Sequence, residues 1–110
     1  MTNQTALPVP VARYFATDRH DIDTLANCFT EDAVVRDEGR THTGRAAIRA
    51  WKAASASSFT YAYESLAAEE EGGKILVTSR VVGDFPGSPV DLRYAFVLRG
   101  DAIAALEIAA

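Results

Sequence analysis

From Phe59 onward the chain alternates apolar and polar residues with a period of two, and this constrains the fold more than any other feature. Phe59, Tyr61 and Tyr63 alternate with Thr60, Ala62 and Glu64, and the run continues towards Glu71. Gly72-Gly73 follows, a two-residue hairpin signal because both residues accept positive φ. Lys74 to Phe85 reads as the next strand, closed by the turn Pro86-Gly87-Ser88-Pro89. Val90 to Leu98 then sets Leu92, Tyr94, Phe96 and Leu98 against Arg93, Ala95 and Val97. Gly100-Asp101 turns the chain into a last strand, Ala102 to Ala110. Four long strands joined by tight turns predict an antiparallel meander.

The first half has helical spacing with one extended break. Pro8 and Pro10 suit a first helical turn, where a missing N–H costs nothing. Val11, Tyr14 and Phe15 fall at i, i+3 and i+4, so a helix is expected to about Asp18. Asp21 is a suitable N-cap for a shorter helix carrying Ile22, Leu25 and Phe29 on one face, with Cys28 packed beside them. Ala33 to Asp37 looks extended, and Glu38-Gly39-Arg40 reads as a turn. Thr43 can cap a third helix from Gly44 to about Ser55 with Ala47, Ile48 and Trp51 inward. The expected architecture is α+β over residues 1–110 as one domain. A curved antiparallel sheet forms a cone, and three helices from the N-terminal half cover its concave face.

With 48% hydrophobic and 24% charged residues, the 110-residue chain has ample apolar surface for a core, which excludes intrinsic disorder. Eleven basic against fifteen acidic residues leave a formal net charge of −4, which argues against a nucleic-acid partner. No apolar run approaches the roughly 20 residues of a membrane span, so no membrane partner is expected. One cysteine, Cys28, cannot make an internal disulfide, and with no export signal in MTNQTALPVP a reducing cytoplasm is the expected home. His20 and His42 stand at unrelated places without carboxylate spacing, so neither a metal site nor any other cofactor is expected.

The stretch VARYFATDRHDIDTLANCFTEDAVVRDEGRTHTGRAAIRAW resembles the opening of the nuclear transport factor 2-like superfamily, closest to its SnoaL-like polyketide cyclase and ketosteroid isomerase branches. The resemblance is carried by a tyrosine in the first helix, a short acid-capped second helix and F-x-x-D-A before a strand. An aspartate at that strand's end and a G-R-x-x-I-x-x-W helix complete it. SPVDLRYAFVLRGDAIAALEI looks like the closing hairpin of the same fold. That fold hosts isomerases, cyclases, hydrolases, binding proteins and transport adaptors, so the resemblance constrains function less than architecture.

In the isomerase branch an aspartate at the place of Asp37 is the general base, and a tyrosine at the place of Tyr14 donates a hydrogen bond to the developing enolate. The resemblance therefore implies catalytic roles for Asp37 and Tyr14. Read from the residues alone, Asp37 equally suits the opening of a turn and Tyr14 the core. The branch's second oxyanion donor, a protonated aspartate, falls here on Tyr94, and a supporting tyrosine of the third helix is replaced by Lys52 beside Trp51. Tyr94, His42, Trp51, Phe15 and Phe96 are the expected substrate-binding residues around a pocket for a small hydrophobic ligand. His42 has a plainer reading as a solvated loop residue. An epoxide-hydrolase reading fails, because Arg80-Val81-Val82 lacks the acid that branch needs. Two functions follow as expectations. One is a cofactor-free acid–base isomerase or cyclase acting on a carbonyl compound; the other is a non-catalytic ligand-binding or dimerising module. On the outer sheet face, Ala95 and Val97 between Arg93 and Arg99 suit a homodimer across the sheets.

Overall fold

A computed structural model describes residues 7–18, 20–58 and 60–110, with backbone alone at Ser57, Ser58 and Ser65. Phe59, the first residue of the alternating run, lies outside the described residues.

Helix α1 (Val9–Ala16) begins at Pro8 and buries Pro10, Val11, Tyr14 and Phe15. It ends two residues earlier than the spacing predicts, because Thr17 turns its backbone to extended φ/ψ and donates both its N–H (3.0 Å) and its hydroxyl (2.6 Å) to the Arg13 carbonyl. Asp21 caps α2 (Ile22–Ala26) as expected, its carboxylate accepting from the Thr24 N–H at 3.3 Å. The helix does not reach Phe29. Leu25 and Ala26 bury its inner face, Cys28 leaves it, and Phe29 opens strand β1 (Phe29–Asp37). The cause is tertiary: the Cys28 carbonyl accepts from Ile103 at 2.8 Å, and Phe29 pairs with Ile103.

Strand β1 shifts register between Phe29 and Val34. Such a shift strands backbone groups from the ladder. Arg45 offsets this by donating Nε (3.1 Å) and Nη2 (2.9 Å) to the Phe29 carbonyl.

The reading of Glu38-Gly39-Arg40 as a turn needs correction. Glu38 (φ 53°) and Gly39 (φ 75°) alone make the turn, and Arg40 already pairs with Asp37 in strand β2 (Arg40–Thr43). Thr43 is therefore the end of a strand rather than a cap. Gly44, at φ 87°, takes that place: its N–H reaches the Ala33 carbonyl and its own carbonyl receives the Ile48 N–H at 3.0 Å. Helix α3 (Arg45–Ser58) follows.

The meander forms as the alternation predicts: β3 (Tyr61–Glu71), β4 (Lys74–Gly83), β5 (Val90–Arg99) and β6 (Ala102–Ala109), paired antiparallel in sequence. Gly72 and Gly73 turn with φ 59° and 80°. The six described strands make one open sheet in the order β2-β1-β6-β5-β4-β3. One pairing departs from the antiparallel expectation: β1 runs parallel to β6, so the sheet is mixed. The helices pack on one face of it, and Val11, Leu25, Phe29, Val35, Ile48, Phe96, Ile103 and Leu106 fill the space between. No described helix is long and apolar enough to cross a membrane.

Candidate functional site

Register carries the argument from fold to site. Asp37 pairs with Ile108, Ile108 with Tyr94, Tyr94 with Val77, and Val77 with Ala68, so these five form one row across the sheet. Residues in such a row share a face, and this row shares the helix-covered one with Val35 and Phe96. Asp37 and Tyr94 are thus two strands apart, about 10 Å by strand spacing.

Two groups of polar side chains gather under the helices. The first surrounds a cavity of about 330 Å3 lined by α1, α3 and β3, with Tyr14, Phe15, Lys52, Tyr61, Tyr63 and Leu66 among its walls and Asp18 at its edge. Tyr14 is 1% exposed, edge-on to Phe15 (5.0 Å between ring centres), Phe96 (5.5 Å) and Tyr94 (6.3 Å). Tyr63 is the meeting point: its ring stands 5.0 Å from that of Phe15 and 6.4 Å from that of Tyr94, and its hydroxyl accepts from Lys52 Nζ at 3.5 Å. Burial pushes the phenols of Tyr14, Tyr63 and Tyr94 above the ordinary tyrosine value, and their crowding raises Tyr14 and Tyr94 further. All three are neutral donors through the physiological range.

Lys52 is the second unusual member, 4% exposed. Its ammonium stands 5.4 Å from the Tyr14 ring centre, 5.5 Å from Trp51 and 5.3 Å from Tyr61. Burial disfavours its charge, yet the oxygens of Tyr63 and Tyr61 outweigh that and hold it above the usual lysine value. The side chain is a buried cation in an aromatic box.

The second group lies at the free end of β1. Trp51 Nε1 donates to Asp37 Oδ2 at 2.9 Å, and the His42 ring lies 6.0 Å from that of Trp51. His42 belongs to β2, opposite Val35, and is half-buried rather than a solvated loop residue. Through Trp51 this group abuts Lys52, and the Asp37 charge reaches Tyr94, raising its phenol slightly further.

Of the seven residues expected at the site, Tyr14 and Phe15 line the cavity. Asp37, Trp51 and His42 form the neighbouring group, and Tyr94 joins the two. Phe96 lies fully buried, stacked on Tyr94 at 6.2 Å, and is not among the cavity's walls; it supports the site from beneath. Lys52, Tyr61 and Tyr63 were not among the expected residues. Their signals are in the sequence: Lys52 stands four residues after the buried Ile48, and Tyr61 and Tyr63 share the alternation of the strand. Ser79 is a further buried hydroxyl, on the helix-covered face between Val77 and Val81, with no hydrogen-bond partner among the described residues.

A mixed, open sheet covered by three helices, with a half-open cavity walled by phenols, is an α+β architecture shared with known proteins. The SnoaL-like domain profile matches residues 11–102, so this chain belongs to the SnoaL-like family. A solved structure of a proposed polyketide cyclase from Sinorhizobium meliloti is 44% identical, with a TM-score of 0.87 over 94% of this chain and 95% of that one. A proposed polyketide cyclase from Pseudomonas putida shares the fold at 15% identity, with a TM-score of 0.79 over 96% and 92% of the two chains. So does a protein with a ketosteroid isomerase-like fold from Catenulispora acidiphila, solved with trimethylamine, at 20% identity and a TM-score of 0.73 over 96% and 87%. No curated protein matches the sequence.

Proposed function

We propose that the protein holds a small, largely apolar carbonyl compound in the cavity beneath α1 and α3 and moves a proton on it without a cofactor, as an isomerase or cyclase. The observation that carries this is the 2.9 Å hydrogen bond from Trp51 to Asp37 Oδ2. It fixes one carboxylate oxygen and leaves Oδ1 to act as a base, on the same sheet face as the phenol cluster. Asp37 takes a proton from the carbon next to the carbonyl. The C–H electron pair becomes a C=C bond, and the carbonyl oxygen becomes an enolate received by the hydroxyls of Tyr14 and Tyr63. Return of the proton from Asp37 to a different carbon of a conjugated enolate completes an isomerisation; attack of the enolate carbon on a second carbonyl, whose π pair moves to its oxygen and takes the proton back from Asp37, completes a cyclisation. The cavity volume, at the lower end of ligand pockets, suits a molecule of one or two rings.

A second reading rests on the cavity walls, which include Tyr14 and Lys52 but not Asp37: a pocket that holds its ligand without turnover. A thermal-shift panel of ketones, phenols, steroids and polyketide-like aromatics against the wild type and Asp37→Asn separates the readings. A ligand at 100 times its dissociation constant adds about 2.7 kcal/mol, or roughly ten degrees in a domain this size. Hits are then assayed for turnover: a hit that the wild type turns over and Asp37→Asn binds without turnover supports catalysis. A hit that both proteins bind and neither turns over favours holding, and no hit in either rejects the pocket itself. The outer sheet face, where Ala95, Val97, Val34 and Ala105 lie between Arg36 and Glu107, is the proposed contact with a second copy. A monomeric mass by light scattering at micromolar concentration rejects that contact.

A further inference from the structure

We propose that Lys52 selects anionic ligands: the cavity takes a planar aromatic or conjugated molecule carrying one ionised oxygen, a phenolate or an ionised enol, bound against the Lys52 ammonium and the Tyr63 hydroxyl. The proposal rests on the cavity being the ligand site and is independent of Asp37 moving a proton.

An ammonium has three N–H donors and no acceptor. Lys52 gives one to Tyr63 at 3.5 Å, the long limit of a hydrogen bond, and has the Tyr61 hydroxyl as a second polar neighbour. Around the rest it meets the rings of Tyr14, Trp51 and Tyr61. Among the described residues it makes no ion pair; those present join Arg49 to Asp23, Arg80 to Asp91 and Arg99 to Asp32, all at exposed side chains. The nearby carboxylates form no ion pair with it. Asp37 accepts from Trp51, and Asp18, at the cavity edge, accepts from the His20 N–H at 2.8 Å. A buried charge without a counter-charge is costly, and ring faces replace only part of the lost hydration. Because Lys52 lines the cavity, a ligand is the group placed to supply the missing negative charge.

The shape of the surroundings narrows the class. Tyr14, Phe15, Tyr61 and Tyr63 offer ring edges and faces along the cavity wall, which suit a flat conjugated body. A charged amine, by contrast, meets the Lys52 cation. A ligand of this class carries the charge of the enolate formed in the proposed chemistry, so it stands in for that intermediate rather than for the neutral substrate.

The probes are 4-nitrophenol and its methyl ether 4-nitroanisole, which share shape and differ in the ionisable oxygen. They are titrated by calorimetry into the wild type, Lys52→Met, Tyr63→Phe and Asp37→Asn, at a mildly alkaline pH that ionises the phenol and leaves the lysine charged. The wild type is expected to bind the phenolate about ten- to a hundredfold more tightly than the ether, the range of one charge-assisted hydrogen bond. Lys52→Met should bring the two affinities together while leaving that for the ether in place, which shows the variant to be folded. Tyr63→Phe keeps the cation and should narrow the preference only in part. Should Lys52→Met fail to fold, that partial narrowing, together with the ionised-phenol absorbance band appearing in the wild-type complex at a pH below the free phenol's own pKa, carries the test. Asp37→Asn should keep the full preference, so loss of turnover in that variant leaves this inference standing and bears only on the proton-transfer reading. Equal binding of ether and phenolate by the wild type overturns it, as does an undiminished preference in Lys52→Met or no binding of 4-nitrophenol at millimolar concentration.

Discussion

Raising the pH attacks the cavity wall through its tyrosines, and the structure sets both the direction and the size of the effect. Tyr14 and Tyr94 are 1% and 3% exposed, and burial raises both phenols above their ordinary value. In the unfolded chain they lose their protons near pH 10, whereas in the folded protein they keep them. Below about pH 10 both states are protonated and the stability is complete. Above it the unfolded state binds fewer protons, so each buried phenol costs about 1.4 kcal/mol of stability per pH unit until the folded value is reached. While both phenols stay protonated in the folded state, two such groups give about 2.7 kcal/mol per unit, a sizeable share of the stability of many domains of this size. Lys52 acts in the same direction, because its folded value is also raised and its contribution is likewise lost as pH climbs. Urea unfolding followed by circular dichroism from pH 8 to 12 measures the slope, and tyrosinate absorbance shows when the phenols ionise. Stability should be flat to about pH 10 and then fall, with part of the tyrosinate signal appearing only as the protein unfolds. Tyr94→Phe should lower the slope by about 1.4 kcal/mol per unit. A fully folded protein whose four tyrosines all titrate near pH 10 refutes the packing described for this cluster.

Ser79→Ala should stabilise the protein by about 1 kcal/mol, read as a rise of a few degrees in melting temperature, because it removes a buried hydroxyl with no partner among the described residues; a fall of similar size contradicts that. Trp51→Phe keeps an aromatic ring beside Lys52 and removes the donor to Asp37. Proton exchange on a bound ketone should then slow about tenfold, while the ligand's thermal shift stays within a degree or two of wild type. An unchanged exchange rate in Trp51→Phe means that this hydrogen bond does not position the base.

The meander was legible because strands of eight to eleven residues repeat one alternation and the Gly72-Gly73 turn is set by local backbone preference. Strand β2 was not, since Arg40-Thr41-His42-Thr43 has no apolar alternation and is extended only because β1 pairs with it. Phe29 has helical spacing from Leu25, yet its pairing with Ile103, far away in sequence, takes it into the sheet. Lys52 was hidden by its charge. Four residues from Ile48 it sits on the buried face of α3, where the rings of Tyr14, Trp51 and Tyr61 and the Tyr63 hydroxyl make the position tolerable for a lysine. The proximity of Asp37 to Trp51 likewise follows from the turn at Glu38-Gly39, which sends β2 back along β1 so that α3 starts beside Ala33 and Phe29 and brings Trp51 to Asp37; helix spacing alone does not show it.

Deuterium incorporation beside the carbonyl of an enolisable aromatic ketone such as 2-tetralone, followed by NMR in heavy water, tests the proton-transfer claim most directly. The wild type should exchange the proton faster than buffer alone, and Asp37→Asn should lose about a hundredfold or more of that rate while still binding the ketone. Exchange at the wild-type rate in Asp37→Asn, or a wild type no faster than buffer on a ketone it demonstrably binds, would contradict the assignment of Asp37 as the base.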